Sequence, residues 1–320
     1  MKLLITFAST ILFVNCLNEP DHWSYFKYKH AKKYNGILEE TIRLQIFQNN
    51  LETINIHNAR YEAGLETYWM KVNKFTDMTP KEFSAMLKRQ QNARPTVRRS
   101  LHVQNVSAPA SIDWREKNAV LNVKDQGQCG SCWAFSATGA LEGQNAILNN
   151  QKIPLSEQQL LDCSGKYGNG DCQVGGDMVA AFEYVIDNGI VAETSYPYTA
   201  EQGSCSVSGK SVMAVKGYKQ VESNEEALKE AVGTVGPISV AIYAEPIQFY
   251  GGGIFTSNYC YNSAAYLDHG VLAVGYGADP EPYWIIKNSW SSDWGEAGYF
   301  RLSRNTGQCG IALDTSYPVL

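Results

Sequence analysis

The distribution of cysteine constrains the fold of this chain more than any other feature. Of its 320 residues, eight are cysteine, and seven of these lie after residue 128. Disulfides persist in oxidising compartments, so we expect the cysteine-rich part to fold there and to be cross-linked. Because seven is an odd number, at least one of these thiols must stay outside any bridge formed within that part.

The N-terminus has the pattern of a secretory signal. Lys2 precedes an uncharged apolar run at residues 3–14, and polar Asn15 and small Cys16 follow it. The run is shorter than the roughly 20 apolar residues that a membrane-spanning helix needs, and no other stretch qualifies. We therefore predict a signal peptide at residues 1–17, no membrane span, and a secretory route to a lysosome or to an extracellular or digestive lumen.

Charge divides the chain into two parts. Residues 1–107 contain fifteen Lys and Arg against nine Asp and Glu, a net charge of +6, whereas residues 108–320 contain twelve against twenty-three, a net charge of −11. The larger part has no basic surplus that could neutralise phosphates, so a nucleic-acid partner is not expected. The basic part is instead suited to cover the acidic part.

Between the signal and residue 107 the sequence predicts a long helix, an edge strand and a linker. One face of the helix carries, at steps of three or four residues, Glu39, Arg43, Phe47, Asn50, Ile54 and Asn58. Glu39 and Arg43 are i,i+4 neighbours, so we expect an ion pair within the helix. Residues 68–77 alternate like an edge strand. Residues 88–107 are expected to form an exposed linker open to proteolysis, with a glycosylation sequon at Asn105.

After residue 110 the pattern indicates a helical half followed by a β half. Helices are predicted at 132–148, 156–163, 177–187 and 225–232, and strands at 237–244, 270–276, 283–287 and 298–302. A cleft between two such halves is a typical place for a binding or catalytic site.

Three chemistries compete for the segment from Cys129 to Cys132, which has the C-x-x-C spacing. A redox pair needs both thiols free and leaves five other cysteines, an odd number. A zinc site lacks donors, because residues 108–320 contain a single histidine and no second C-x-x-C, and we expect no metal. One disulfide cysteine beside one nucleophilic cysteine fits the count best.

A nucleophilic cysteine needs a base, and His269 is the only histidine after residue 107. A lone histidine is by itself more often a surface or core residue. This one, however, begins a predicted strand, and Asn288 ends the next strand nineteen residues later, so neighbouring strands can bring the two together. Cys132 opens a predicted helix, where the helix dipole and an imidazolium would both favour the thiolate.

At these positions the chain resembles the papain-like cysteine peptidases. Residues 126–135 resemble the nucleophile segment of that family, 268–270 its histidine segment, 287–290 its asparagine segment, and the helical stripe its propeptide. The resemblance covers nearly all of the chain after the signal and is greatest to cathepsin L-like endopeptidases. It implies an α+β fold of two lobes, a helical N-terminal lobe and an antiparallel β-barrel-like C-terminal lobe. A helical inhibitory propeptide at 18–107 would precede a catalytic domain at 108–320.

The resemblance also implies a role for each matching residue. Cys132 would be the nucleophile, His269 the general base and then acid, Asn288 the residue that orients the imidazole, Gln126 an oxyanion donor, and Trp290 the ring that shields the histidine–asparagine contact. The implied reaction is hydrolysis of proteins and peptides through a thioester acyl-enzyme, without a cofactor. The chain would be a monomer made as an inactive zymogen, inhibited by its own propeptide and activated at acid pH by cleavage near residues 105–108.

Further site residues follow only from this resemblance. The implied disulfides are Cys129–Cys172, Cys163–Cys205 and Cys260–Cys309. The implied substrate-binding residues, besides Trp290, are Gly175, Gly176, Met178, Ala241, Leu267, Asp268 and Asp314. A catalytically inactive homologue with the same motifs, or an oxidoreductase using Cys129 and Cys132, are the alternative functions.

The chain departs from the family pattern in three places. Lys71 stands where the propeptide pattern has glycine, and one extra residue lies between Cys172 and Gly175. Asp314 stands where cathepsin L-like enzymes usually have a small neutral residue, in the pocket for P2, the second residue before the scissile bond. We expect an apolar P2 preference with tolerance of Arg or Lys through Asp314, unless its carboxylate faces solvent or a hydroxyl. Without a spare histidine to bind a substrate carboxylate, we expect an endopeptidase.

Overall fold

The computed structural model of the chain describes residues 19–87, 99–102 and 107–320. The predicted signal peptide, Asn105 of the sequon and most of the predicted linker lie outside these ranges. Within them, no helix is both long enough and apolar enough to span a membrane.

The order of helices and strands follows the sequence prediction closely after residue 110. The helices are α1 Glu19–Lys29, α2 Ile37–Glu62, α3 Pro80–Met86, α4 Cys132–Asn149, α5 Glu157–Cys163, α6 Met178–Asn188 and α7 Glu225–Thr234. The strands are β1 Tyr68–Met70, β2 Arg99–Leu101, β3 Ile112–Asp113, β4 Gly217–Gln220, β5 Ile238–Ile242, β6 Tyr250–Phe255, β7 His269–Gly277, β8 Tyr283–Lys287, β9 Tyr299–Ser303 and β10 Thr315–Val319. The eight elements predicted after residue 110 are all present, with ends that differ by at most two residues.

The strands form one sheet in the order β1-β6-β9-β8-β7-β5-β10-β4-β2, and β3 pairs with β7. Pairing is antiparallel except between β6 and β9 and between β2 and β4. The two outer strands, β1 and β2, both come from the basic N-terminal part. This part therefore covers the backbone donors and acceptors that β6 and β4 would otherwise expose as edges.

Two large hydrophobic clusters correspond to the two halves predicted after residue 110. One gathers helical residues such as Trp133 and Phe182, and the other gathers sheet residues such as Trp284 and Phe300. A smaller cluster between α1 and α2 belongs to the N-terminal part.

The two halves meet where α4 packs on β5 and β7. Ser136 Oγ donates to the Val271 carbonyl at 2.7 Å, and Ser239 Oγ donates to the Ser136 carbonyl at 2.9 Å. Gly139 permits the close approach, because a Cβ there would lie 2.8 Å from Leu272. The start of α4 thus faces the start of β7.

The stripe of residues predicted for the long helix lies on α2, but it does not stabilise α2 through contacts within the helix. The predicted ion pair between Glu39 and Arg43 is wrong. Arg43 instead lies 2.9 Å from the Glu82 carboxylate of α3 and donates to the Asp77 carbonyl at 3.1 Å. The Glu39 carboxylate accepts the backbone N–H of Asn35. The stripe therefore joins α2 to the segment that follows it.

The two asparagines of the stripe bind backbone groups of that same segment. Asn50 Nδ2 donates to the carbonyls of Thr76 at 2.8 Å and Met78 at 2.9 Å. Asn58 exchanges two hydrogen bonds of 2.8 Å with the backbone of Met70. These amides satisfy backbone groups that have no partner in regular secondary structure.

The predicted strand at 68–77 is wrong beyond Met70. Asn73 turns the chain, because its Oδ1 accepts the N–H of Phe75 at 2.9 Å while its own N–H donates to Thr76 Oγ1 at 2.9 Å. A side chain that hydrogen-bonds to the backbone two residues on favours a turn over a strand. Within this turn Asn73, Phe75, Thr76 and Asp77 are all buried.

The predicted linker is wrong at residues 99–101, which form a strand, although Leu101 is exposed as predicted. Arg99–Leu101 is a strand paired in parallel with β4, and the backbone N–H of His102 donates to the Gln220 carbonyl at 2.8 Å. The His102 side chain is 3% exposed and lies 2.7 Å from the hydroxyl of Tyr317.

Candidate active site

Cys132 occupies the first position of α4 and is fully buried. Among the described cysteines it is the one that forms no disulfide, and its Sγ accepts the backbone N–H of Gly270 at 3.3 Å. The partial positive charge of a helix N-terminus and an N–H donor both stabilise a thiolate over a thiol. The local structure therefore suits a nucleophilic sulfur.

His269 and Asn288 meet as the sequence predicts, because β7 begins with the histidine and Asn288 follows antiparallel β8. His269 Nε2 lies 2.9 Å from Asn288 Oδ1, which also accepts the N–H of Ser289 at 2.8 Å. Since Oδ1 accepts, Nε2 carries the proton of the neutral ring. Nδ1 has no hydrogen-bond partner among the described residues, so its lone pair can accept a proton.

Burial lowers the pKa of His269 to about 4, although its hydrogen bond to Asn288 opposes this shift. The ring is fully buried. With the N-terminal part in place, the imidazole is therefore neutral at physiological pH.

Trp290 covers the imidazole. The two rings stack with centroids 4.7 Å apart and an interplanar angle of 25°, and Trp290 is 1% exposed. The N-terminal part packs on Trp290 in turn, because Phe75 and Phe83 each contact Trp290 edge to face with centroids 5.4 Å apart. These aromatic contacts exclude water from the His269–Asn288 hydrogen bond.

The Gln126 side chain is buried and fixed by two hydrogen bonds. Its Oε1 accepts the hydroxyl of Ser289 at 2.6 Å, and its Nε2 donates to the carbonyl of Cys129 at 2.9 Å. A primary amide has two N–H groups, so one donor remains for another acceptor. Ser289, which sequence reasoning did not single out, sets the orientation of this amide.

The described cysteines other than Cys132 form the bridges Cys129–Cys172, Cys163–Cys205 and Cys260–Cys309. These are the pairs that the resemblance implies. Because Cys129 is joined to Cys172, a redox pair between Cys129 and Cys132 does not fit the structure. The described residues contain no group of three or more His, Cys, Asp or Glu arranged to hold a metal ion.

The extra residue before the glycine pair is accommodated in a turn. Asp171 Oδ1 accepts the N–H groups of Gln173 at 2.8 Å and Val174 at 2.9 Å, and the Asp171 carbonyl accepts the N–H of Gly175 at 2.9 Å. A Cβ at Gly176 would lie 2.6 Å from the indole of Trp133, so only glycine fits there. The insertion therefore bulges outward, and the glycine pair remains packed on the helical cluster.

Three expected pocket residues lie in one buried hydrophobic cluster, namely Met178, Ala241 and Leu267. A Cβ at Gly270 would be 3.2 Å from the Met178 sulfur, which places this cluster beside the start of β7. The carbonyl of Asp314 accepts the N–H of Ala241 at 3.0 Å, so the backbone holds this half-buried residue next to the same cluster.

Asp268 has a structural contact. Its Oδ1 accepts the N–H of Ala244 at 2.8 Å, and its own N–H donates to the Ile242 carbonyl at 3.0 Å. These hydrogen bonds join the chain just after β5 to the chain just before β7. Asp268 therefore positions its neighbour His269.

Lys71 and Lys74 join the N-terminal part to the catalytic part. Lys71 Nζ donates to the Gly295 carbonyl at 2.7 Å, so the residue that departs from the family pattern contributes a contact. Lys74 Nζ lies 2.6 Å from Oδ1 of Asp125. Sequence reasoning missed Asp125, although it directly precedes Gln126.

Comparison with known proteins agrees with this geometry. Residues 108–319 match the family model described as papain family cysteine protease, and residues 23–83 match the cathepsin propeptide inhibitor domain. The chain is 46% identical over 327 residues to a cathepsin L-like proteinase of Phaedon cochleariae, with 100% of both chains covered. It is 48% identical over 305 residues to digestive cysteine proteinase 3 of Homarus americanus, covering 93% of this chain and 94% of that protein.

A solved structure shows the same architecture. The digestive procathepsin L 3 of the Tenebrio molitor larval midgut matches with a TM-score of 0.89 and 46% identity, over 94% of this chain and 99% of that one. The predicted papain-like fold with a helical propeptide is thereby confirmed. The chain belongs to the papain family of cysteine proteases, as a cathepsin L-like member with a propeptide inhibitor domain.

Proposed function

We propose that the chain is the zymogen of a cysteine endopeptidase in which Cys132, His269, Asn288 and Gln126 perform catalysis. The observation that carries this proposal is the position of the Cys132 sulfur at the start of α4, against the backbone of Gly270, while the adjacent histidine is hydrogen-bonded to Asn288. A sulfur nucleophile, a base and an orienting amide are the parts that acyl transfer needs.

The reaction follows from the protons that these groups hold. His269 Nδ1 takes the thiol proton, and the thiolate attacks the substrate carbonyl. The remaining Gln126 N–H and the backbone N–H of Cys132, which has no intrahelical acceptor, stabilise the oxyanion, at about 2.7–4 kcal/mol for each donor. The imidazolium then protonates the leaving amine, and water hydrolyses the thioester with His269 again acting as base.

We propose a signal peptide at residues 1–17, an inhibitory propeptide at 18–107 and the catalytic domain at 108–320. Propeptide strands complete both edges of the sheet, and propeptide aromatics pack on Trp290. Removal of the propeptide readmits water to His269, which raises its pKa from about 4 and permits the thiolate–imidazolium pair.

A labelling experiment tests the catalytic assignment. An epoxide inhibitor directed at cysteine should modify Cys132 alone in the processed protein, and the modified peptide can be identified by mass spectrometry. Absence of labelling in processed protein that retains its fold would support an inactive homologue and contradict the proposal.

Endopeptidase activity is proposed because residues 108–320 offer no histidine besides His269 to bind the terminal carboxylate of a substrate. A protein substrate blocked at both termini should therefore be cut internally. Release of single residues or dipeptides from termini, without internal cuts, would contradict this assignment.

We further propose that the P2 pocket prefers apolar side chains and accepts Arg or Lys through Asp314. Met178, Ala241 and Leu267 supply apolar walls, and the Asp314 backbone is anchored to Ala241. Asp314→Ala should lower the ratio of kcat/KM for P2 Arg over P2 Phe by about fivefold, the effect of losing one partly exposed charge pair. A panel of fluorogenic peptides that vary only at P2 measures this ratio. If Asp314→Ala leaves the ratio unchanged, the carboxylate does not face the pocket.

We propose that acid pH triggers activation by destabilising the propeptide. Burial, followed by Lys29 and Lys32, lowers the pKa of His30 from 6.5 to about 4, while Asp293 and Asp77 oppose the shift. Because the folded-state pKa is depressed, the neutral ring contributes stability that is fully present above pH 6.5 and is lost as the pH falls towards 4. Protonation of carboxylates also weakens the attraction between the basic propeptide and the acidic domain.

Conversion of the zymogen should therefore be faster at pH 4.5 than at pH 7, as followed by gel electrophoresis. His30→Gln should reduce this difference, because glutamine does not titrate. The matched control is His22→Gln, since His22 is an exposed histidine of α1, the helix that ends one residue before His30. Faster conversion at neutral pH, or an equal effect of both variants, would refute this mechanism.

We propose a secretory route for the protein, because its three disulfides need an oxidising compartment. A lysosome and an extracellular or digestive lumen both meet this need, and relatives from Homarus americanus are named digestive proteinases. The proposed substrates are proteins and peptides, and the mature enzyme is proposed to act as a monomer.

A further inference from the structure

The carboxylate of Asp125 lies at the edge of the catalytic centre and holds a propeptide cation. Its Oδ1 lies 2.6 Å from Lys74 Nζ and also accepts the backbone N–H of Gly127 at 3.0 Å. The Asp125 side chain remains 42% exposed even in this complex. Among the described residues Lys74 is the one cation paired with Asp125, so this carboxylate becomes available when the propeptide leaves.

The chemistry of the reaction locates Asp125 on the leaving-group side. The leaving amine receives its proton from His269, so the substrate chain after the scissile bond must depart past that ring. Trp290 stacks on His269, and Asp125 forms an antiparallel backbone bridge with Trp290. The P2 pocket, by contrast, is formed by a different set of residues around Met178.

Two carboxylates of the catalytic domain act electrostatically on the propeptide lysines at this side. Burial lowers the pKa of Lys74, and the neighbouring Asp125 and the more distant Asp293 oppose that shift. Asp293 similarly opposes the burial-induced lowering of the pKa of Lys71. Asp293 is exposed at the surface of the catalytic domain. Two carboxylates therefore face the basic side chains that cross this region in the zymogen.

We propose that Asp125 is a specificity-determining residue that favours lysine or arginine in the first two substrate positions after the scissile bond. In the zymogen Lys74 pairs with the Asp125 carboxylate, as the cation of a substrate would. This inference rests on the proposed peptidase function and extends it to the leaving-group side. A cationic side chain with a reach like that of lysine can bring its charge to Asp125 while the backbone passes Trp290.

The test uses the mature enzyme and internally quenched peptides with phenylalanine fixed at P2. The first two positions after the scissile bond carry lysine, methionine or glutamate in turn. At the substrate position that meets Asp125, the wild type should cleave the lysine peptide with a kcat/KM about fivefold above that of the methionine peptide. The glutamate peptide should have the lowest kcat/KM of the three. Added salt should reduce this preference, because Asp125 is exposed to solvent.

Asp125→Asn is the decisive variant, because its amide retains an Oδ1 that can accept the Gly127 N–H and only the charge is lost. It should lower the lysine-to-methionine ratio to about one and leave the methionine peptide within about twofold of wild type. The matched control is Glu222→Gln, which removes one exposed charge beside β4. It should keep the wild-type ratio.

An unchanged ratio in Asp125→Asn would overturn the inference. An equal loss of preference in Glu222→Gln would also overturn it, since the effect would then be one of net charge. If Asp125→Asn does not fold, a wild-type lysine preference that does not fall with salt would refute it. Failure of the proposed function would look different, because no peptide of the series would be cleaved by the wild type.

Discussion

Replacing Cys132 by serine is expected to lower kcat/KM for peptide hydrolysis by a factor of about 10⁴ or more. A serine hydroxyl is far more weakly acidic than a thiol, so His269 cannot generate the nucleophile, and loss of one member of such a catalytic set removes most of the rate enhancement. The substitution exchanges sulfur for oxygen at a buried site where a backbone N–H is the donor. The fold should therefore survive.

Two measurements distinguish lost chemistry from lost structure in Cys132→Ser. The zymogen variant should not convert by itself at acid pH, but wild-type mature enzyme added in trace amount should cut it to the mature length. Its melting temperature should stay within a few degrees of wild type. Appreciable self-conversion, or hydrolysis within tenfold of wild type, would show that the nucleophile lies elsewhere.

The elements that carry the proposed catalytic residues were predictable because their signals are local. β8 is a run of aromatic and β-branched residues with the predicted bounds, Tyr283–Lys287, and α4 starts at Cys132 as expected. Strand order then brings His269 and Asn288 together, which the sequence implies only through antiparallel pairing of neighbouring strands.

Two of the strands that were missed have compositions unfavourable for strands. β6 contains three consecutive glycines, Gly251–Gly253, and β10 contains Pro318. The glycines are required by tertiary contacts, because a Cβ at Gly251 or Gly252 would clash with the ring of propeptide Trp69 at 2.3 Å and 2.7 Å. Packing against a distant segment therefore decides the local structure here, and no local pattern can show it.

The partners of charged residues were likewise beyond sequence reasoning. Arg43 has Glu39 one helical turn away, yet it pairs with Glu82, which is 39 residues distant. The contact between Lys74 and Asp125 spans 51 residues. A periodic pattern identifies which face of a helix is packed against other residues. Which residues those are depends on the distant segments that the loops bring next to that face.

Replacing Phe75 by alanine is expected to open the zymogen at neutral pH. Phe75 is fully buried, and its ring lies in a cluster with Phe83 and Trp290 that spans the boundary between propeptide and catalytic domain. Removal of such a ring costs about 3–5 kcal/mol. Because this contact forms only when the propeptide is docked, most of the cost falls on docking, and the open form should become at least about a hundredfold more populated.

Labelling of Cys132 by the epoxide inhibitor at pH 7 measures the open population of the zymogen. Phe75→Ala should be labelled about a hundredfold faster than wild type, and it should also convert earlier as the pH is lowered. Tyr28→Ala is the matched control, because Tyr28 is an aromatic residue of the propeptide that is 86% exposed. The mature enzymes from all three zymogens have the same sequence and should share one kcat/KM. A labelling rate for Phe75→Ala equal to that of wild type would show that this aromatic contact does not hold the propeptide over the active site.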